Sequence, residues 1–263
     1  MLERVHASTL QTIGASRLPF EFLPLLGRSG YVISGWSHLV YGLPKGGKTD
    51  LISQFASECG RQVLYFTEEP ESVWILRDKQ QTLGDINLVF SLGASPAEIV
   101  ETAGNGLEPV VIVDTVKLFR LLDENDNAEI NHKITPIVAG CREKNKTLLL
   151  VHHTRKSGGK YGLGAAGGYA MLAVVDVALE ISRDPRALYR RHVNGLARVI
   201  EVPEMVYEKS GPNLVYVGSP DEMSTEGVQK RLYEMLTDDW QSTSALMELI
   251  GDPPTSGPTA RKA

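Results

Sequence analysis

Long hydrophobic runs are missing from this chain. No stretch of its 263 residues approaches the roughly 18 to 20 apolar residues that a membrane span needs. The first residues, MLERVHASTLQ, lack the apolar centre of a signal peptide. The expected location is therefore cytoplasmic, with no membrane partner. Cysteine is almost as scarce: Cys59 and Cys141 are far apart and lack the paired spacing of a zinc site or a redox motif, which leaves packing as their expected role. An excess of positive charge is missing too. The 27 Lys and Arg against 32 Asp and Glu give a formal net charge of −5, which argues against a generally basic nucleic-acid binder but leaves room for a local basic surface.

What is present suits a packed globular protein. Hydrophobic residues make up 42% and charged residues 22%, which favours neither disorder nor a fibrous repeat. The length allows one large α/β domain, or one domain with a small appendage. From about residue 61 onward, five β-rich runs, RQVLYFT, INLVF, PVVIVDT, KTLLLVHHT and VVDVALEI, alternate with helix-length segments. That alternation predicts a mostly parallel sheet covered by helices on both faces. Helices are expected over about 48–59, ahead of Gly84, and over 128–145. Near Gly195 the texture changes, and RVIEVPEMVYEK followed by LVYVG reads as an antiparallel hairpin turned at Ser210-Gly211-Pro212.

After Pro220, TEGVQKRLYEMLTD places Val228, Leu232, Met235 and Leu236 at helical spacing, and STSALMELIG reads as a second short helix capped by Ser242 or Ser244. The tail is expected to be a small helical cap or a partial helix-turn-helix module. The resulting division is an N-terminal extension over 1–27, a core over 28–219 and a small helical C-terminal segment over 220–263.

The chemistry concentrates in a few stretches. YGLPKGGKTD contains the full phosphate-binding loop pattern, Gly42, four free positions, then Gly47, Lys48 and Thr49. Glycines let successive backbone N–H groups converge on phosphate oxygens at a helix start, where the dipole also favours negative charge. Residues Gly42, Leu43, Pro44, Lys45, Gly46, Gly47, Lys48, Thr49 and Asp50 are accordingly the expected ATP-binding segment, with Lys48 on the β and γ phosphates and the Thr49 hydroxyl on Mg²⁺. PVVIVDT supplies a buried strand ending in Asp114, a second magnesium residue. VLYFTEEP runs a strand into Glu68, which can orient or deprotonate a water beside the γ phosphate. KTLLLVHHT delivers His152 and His153 to the carboxyl end of another strand, the side where open parallel sheets bind ligands. A basic, Gly-rich loop follows from Arg155 to Gly168, too long for a routine connection.

In order and spacing, GLPKGGKT, LYFTEEP, VVIVDTVKLF and LLLVHHTRK resemble the RecA-like P-loop ATPases. Within them the likeness is to the hexameric replicative helicases of DnaB type and the RepA-type ATPases of plasmids, with KaiC-like ATPases as relatives. It covers roughly residues 28–217. The resemblance implies a RecA-like core with a central parallel sheet, a C-terminal β-hairpin and a helical tail. It also implies Glu68 as catalytic base, Lys48 in the same catalytic set, Asp114 for magnesium water and His153 as a polar sensor. A trans-acting arginine is implied near YRRHVNGLARVIEVPE, with Arg198 the first candidate and Arg191 the second. Such a finger would need a homo-oligomer, a hexameric ring or a filament. Arg155, Lys156 and Lys160 are the implied contacts to single-stranded DNA, with Tyr161 or Tyr169 placed to stack on a base.

The expected function is thus an ATP-hydrolysing, magnesium-dependent motor on DNA, a helicase or an accessory of replication or recombination. The alternative is a KaiC-like, nucleotide-gated regulatory ATPase that controls a protein partner. A small-molecule phosphotransferase would need an arginine-rich lid and an acceptor pocket, and the sequence shows neither clearly.

Overall fold

The structure, a computed structural model, describes residues 20–80, 83–116, 127–153 and 168–224. A small antiparallel hairpin comes first, β1 (Phe22–Leu25) with β2 (Arg28–Ile33). Alternating strands and helices follow: β3 (Ser37–Gly42), α1 (Lys48–Glu58), β4 (Val63–Thr67), α2 (Glu71–Gln80), β5 (Ile86–Phe90) and α3 (Pro96–Asn105). Then come β6 (Val110–Asp114), α4 (Asn127–Glu143), β7 (Thr147–His153), α5 (Gly168–Val174) and β8 (Val177–Arg183). β9 (Arg190–Ala197), β10 (Met205–Ser210) and β11 (Asn213–Gly218) close the described residues. The chain is a mixed α/β protein with one large sheet, ordered β11-β10-β9-β8-β3-β7-β6-β4-β5. All pairings from β8 to β5 are parallel, and those from β8 to β11 are antiparallel.

The all-apolar strands follow from cover on both faces. Val110 and Ile112 of β6 join the core cluster that holds Leu51, Phe55 and Trp74 of α1 and α2. Val111 and Val113 join the opposite cluster, with Ile99, Ile134 and Met171 of α3, α4 and α5. A period of two thus sends successive residues into two different cores, so no polar face is needed. Cys59 and Cys141 are buried free thiols, one in each cluster. Leu23, Leu25 and Leu26, which the sequence reading assigned to the extension, belong to the first cluster.

The helices at 48–59, ahead of Gly84 and near 128–145 appear where the pattern predicted them. The hairpin turned at Gly211 also forms, Ser210 pairing with Asn213 and Gly211 taking a φ of 59°, as a two-residue turn with glycine first requires. Its first strand is shorter than expected. Residues 201–204 are not strand, and β10 begins at Met205, beyond Pro203, which has no N–H to give a ladder. A strand the sequence reading did not separate, β9, lies between β8 and β10. The predicted C-terminal helices fall outside the described residues. Among the described residues no helix is long and apolar enough to cross a membrane.

One buried polar residue ties the β1–β2 hairpin to the large sheet. The imidazole of His38 accepts from the Ile33 N–H at Nε2 (3.0 Å) and lies 3.1 Å from the Leu148 carbonyl at Nδ1. An acceptor role at Nε2 makes Nδ1 the protonated nitrogen, so the ring is neutral. Burial pushes its pKa down to about 4 against an ordinary 6.5, despite the Leu148 bond. Between those values the unfolded chain holds a proton that the folded chain does not, so this residue's contribution to stability falls as pH drops from 6.5 towards 4. The expected loss between pH 7 and 4.5 is on the order of 2 kcal/mol beyond that of a His38→Gln variant. Urea midpoints of both proteins at the two pH values measure it, and equal losses would remove His38 from the account.

Candidate functional site

β3 is buried along its whole length and ends at Gly42 between β7 and β8. No side chain fits there, because a β-carbon on Gly42 would collide with the Ile181 carbonyl oxygen. The chain then turns on itself, Gly46 N–H donating to the Leu43 carbonyl at 3.0 Å, and reaches Gly47 with a φ of 102°. Gly47 is the N-cap of α1 and offers no side-chain cap. The helix start keeps its N–H groups for a ligand, as an anion site requires. Lys48 is 4% exposed and donates to the carbonyls of Gly42 and Leu43, each at 2.9 Å. Burial pushes its ammonium down to about 8, with Asp114 pulling the other way.

Two acids reach this loop from neighbouring strands. Asp114 ends β6 and is buried, its Oδ2 accepting from the Tyr65 hydroxyl at 2.8 Å. Burial raises its carboxyl to about 6, even though hydrogen bonds from Tyr65 and Thr49 and the charge of Lys48 favour the ion. Glu68 follows β4, and its N–H donates to the Asp114 carbonyl at 3.2 Å. Thr67 shapes the turn behind it, its hydroxyl accepting from the Glu69 N–H and from the Trp74 indole, both at 3.1 Å. Arg77 of α2 grips Glu69 through two nitrogens, at 3.2 and 3.3 Å, and reaches Asp50 at 3.1 Å. Lys209 of β10 takes the other oxygen of Asp50 at 2.8 Å. Burial alone would raise the Asp50 carboxyl, yet the bonds from Lys209 and Arg77 hold it below its ordinary value.

Of these groups Lys48, Asp50, Glu68, Glu69, Arg77, Asp114 and Lys209 line one cleft of about 350 Å³ at the carboxyl ends of β3, β4, β6 and β7. It contains Lys45 to Asp50, Glu68, Asp114 and His153 together, and Gly42 pairs with His153 across the β3–β7 ladder. The strand order places β3 between β7 and β8, a switch point where doubly wound sheets open a crevice. Three cations of the cleft are held by main-chain carbonyls: Lys48 as above, Arg183 by Lys45, and Arg191 by Leu188 and Arg190. A larger hollow of about 610 Å³ lies between α3 and α4, but its charged residues Glu129 and Lys133 pair with each other.

The structure separates the two finger candidates. Arg191 lines the cleft, whereas Arg198 lies at the opposite end of β9. Because Arg191 pairs with Arg183 and Ala197 with Val177, the two positions stand about 20 Å apart along the strand. Arg198 donates to the carbonyls of Ala173 and Val175 at 2.9 and 3.3 Å, closing the carboxyl end of α5. Leu43 and Pro44 are part of the loop but do not line the cleft. Arg155, Lys156, Lys160 and Tyr161 lie outside the described residues, as does the side chain of Tyr169. Sequence reasoning missed Tyr65, Glu69, Arg77, Arg183 and Lys209. Only Glu69 carried a signal, its place beside Glu68.

A family model described as an AAA domain matches residues 81–159. The match supports an AAA/P-loop ATPase family. It spans β5, Asp114 and the two histidines of β7, and begins well after the glycine loop, which it does not include. The ATPase assignment and the loop pattern are therefore separate indications, which the fold brings into one cleft. An AAA domain points to nucleotide binding and ATP hydrolysis. No curated protein matches the chain.

Proposed function

We propose that this protein is an oligomeric, RecA-like ATPase that acts on DNA, as a helicase or as an accessory of replication or recombination. The observation that carries the ATPase part is the meeting of Glu68 with Lys48, Thr49, Asp114 and His153 in one cleft. The glycine loop and Lys48 bind the phosphates. Thr49 and Asp114, an oxygen-only pair joined by a hydrogen bond, suit a hard cation and would hold Mg²⁺ and its water. Bound there, the magnesium would neutralise charge on the phosphates. Glu68 orients and deprotonates the attacking water, and His153 hydrogen-bonds the terminal phosphate and responds to its loss.

Support for DNA comes from continuity along the chain. His153 faces the cleft, and the residues that follow it include Arg155, Lys156 and Lys160. A strand end that contacts the nucleotide thus runs directly into a basic, Gly-rich segment suited to a phosphate backbone. Oligomerisation rests on the resemblance, which implies a trans-acting arginine; Arg198, its first candidate, is remote from its own cleft, with its guanidinium on the Ala173 and Val175 carbonyls and 3.5 Å from Asp176. As a finger it can serve only a neighbouring subunit.

Steady-state ATP hydrolysis with and without single-stranded DNA, at low and moderate salt, tests the DNA part. The expected result is a severalfold, salt-sensitive stimulation that is lost when Arg155, Lys156 and Lys160 are replaced by alanine. Hydrolysis indifferent to DNA would favour the nucleotide-gated regulatory reading, with a protein partner in place of nucleic acid.

A further inference from the structure

Arg191 is 4% exposed, which is unusual for an arginine, and among the described residues no carboxylate is hydrogen-bonded or ion-paired to it. Its Nη1 donates to the carbonyls of Leu188 (2.7 Å) and Arg190 (2.9 Å), which pins the guanidinium. Its Nε is buried with no hydrogen-bond partner among the described residues. That nitrogen lies against the phosphate loop: a β-carbon placed on Gly47 would be 3.1 Å from it. The surrounding charges intensify the need for an anion. Arg183 repels Arg191, and Asp50, which attracts it, is already bonded to Arg77 and Lys209. A buried donor left unmade is costly, and a buried cation without a counter-charge more so.

We propose that Arg191 binds the phosphate chain of the nucleotide held by its own subunit. It is a cis anion contact, not a finger extended to a neighbour. A trans finger must be exposed at a subunit surface, whereas Arg191 is enclosed by the loop that it faces. The antiparallel part of the sheet then has a definite task, since β9 brings this cation, and β10 Lys209, to a cleft whose other groups come from the parallel strands and the loops and helices that follow them. Gly47 also acquires a second reason to be glycine, because a side chain there would press on Arg191 as well as strain the turn. The inference rests on the reading of the cleft as a nucleotide site.

Equilibrium binding of Mg·ADP is the test, by competition with a fluorescent ADP, on wild type, Arg191→Ala, Arg191→Met and Arg186→Ala. Arg186 is an exposed residue of the neighbouring turn and serves as the control. Arg191→Met keeps most of the stem's volume and guards against collapse of the site. Both Arg191 variants are expected to bind ADP about 10- to 100-fold more weakly, the worth of a charge-assisted hydrogen bond, and Arg186→Ala as wild type. In mixtures, Arg191→Ala and Lys48→Ala subunits should regain no hydrolysis, because each carries the defect in its own site. Affinity within twofold of wild type in a folded Arg191 variant would overturn the proposal, as would recovery of hydrolysis in the mixture. Absence of ADP binding by the wild type would overturn the nucleotide site itself, before any substitution is compared.

Discussion

Glu68→Gln should bind ATP within about threefold of wild type and hydrolyse it about 10²- to 10⁴-fold more slowly, the usual worth of a positioned general base. Main-chain contacts hold the backbone of this residue in place. Its N–H donates to Asp114, and the turn after it is fixed by Thr67, Trp74 and the Arg77–Glu69 pair. An amide at position 68 keeps these main-chain contacts and the shape of the side chain while removing the basic oxygen. Rapid-quench turnover and equilibrium binding on the same preparation separate the two effects. If binding falls as far as turnover does, Glu68 belongs to the architecture of the loop and not to the chemistry.

Lys48→Ala should show the reverse pattern, with ATP affinity falling about 100-fold or more before turnover is considered. Its ammonium is the loop's buried cation, held by the Gly42 and Leu43 carbonyls. Those carbonyls are modest partners for a buried charge, so phosphate oxygens can displace them with a gain in Coulomb attraction. Calorimetric titration of both proteins with Mg·ATP reads the difference. Affinity within tenfold of wild type would mean that the lysine stabilises the empty loop instead of the ligand.

The parallel half of the fold and the phosphate loop were legible because both depend on local signals. Runs such as VVIVD must be buried on two faces, and the Gly42 to Thr49 spacing has a backbone reason at each glycine. The acids and His153 could be placed for a related reason: each ends a strand that the pattern identifies, and parallel strands deliver their ends to one edge. What stayed hidden depends on pairing between distant segments. Arg77 and Lys209 reach Asp50 from 27 and 159 positions away, and nothing in their own neighbourhoods marks that destination. Arg191 and Arg198 looked alike as finger candidates, since both lie near the same glycine. Only the antiparallel register of β8 with β9 sends one to the cleft and the other to the far edge. His38 gave no signal either, because its partners are main-chain groups of Ile33 and Leu148.

The most direct measurement is phosphate release from ATP by the wild-type chain, in magnesium and in excess chelator, with Lys48→Ala purified in parallel. The account predicts many phosphates released per chain in magnesium, and release near background in chelator and in the variant. Release that never exceeds one phosphate per chain, or that persists undiminished in Lys48→Ala, would contradict it.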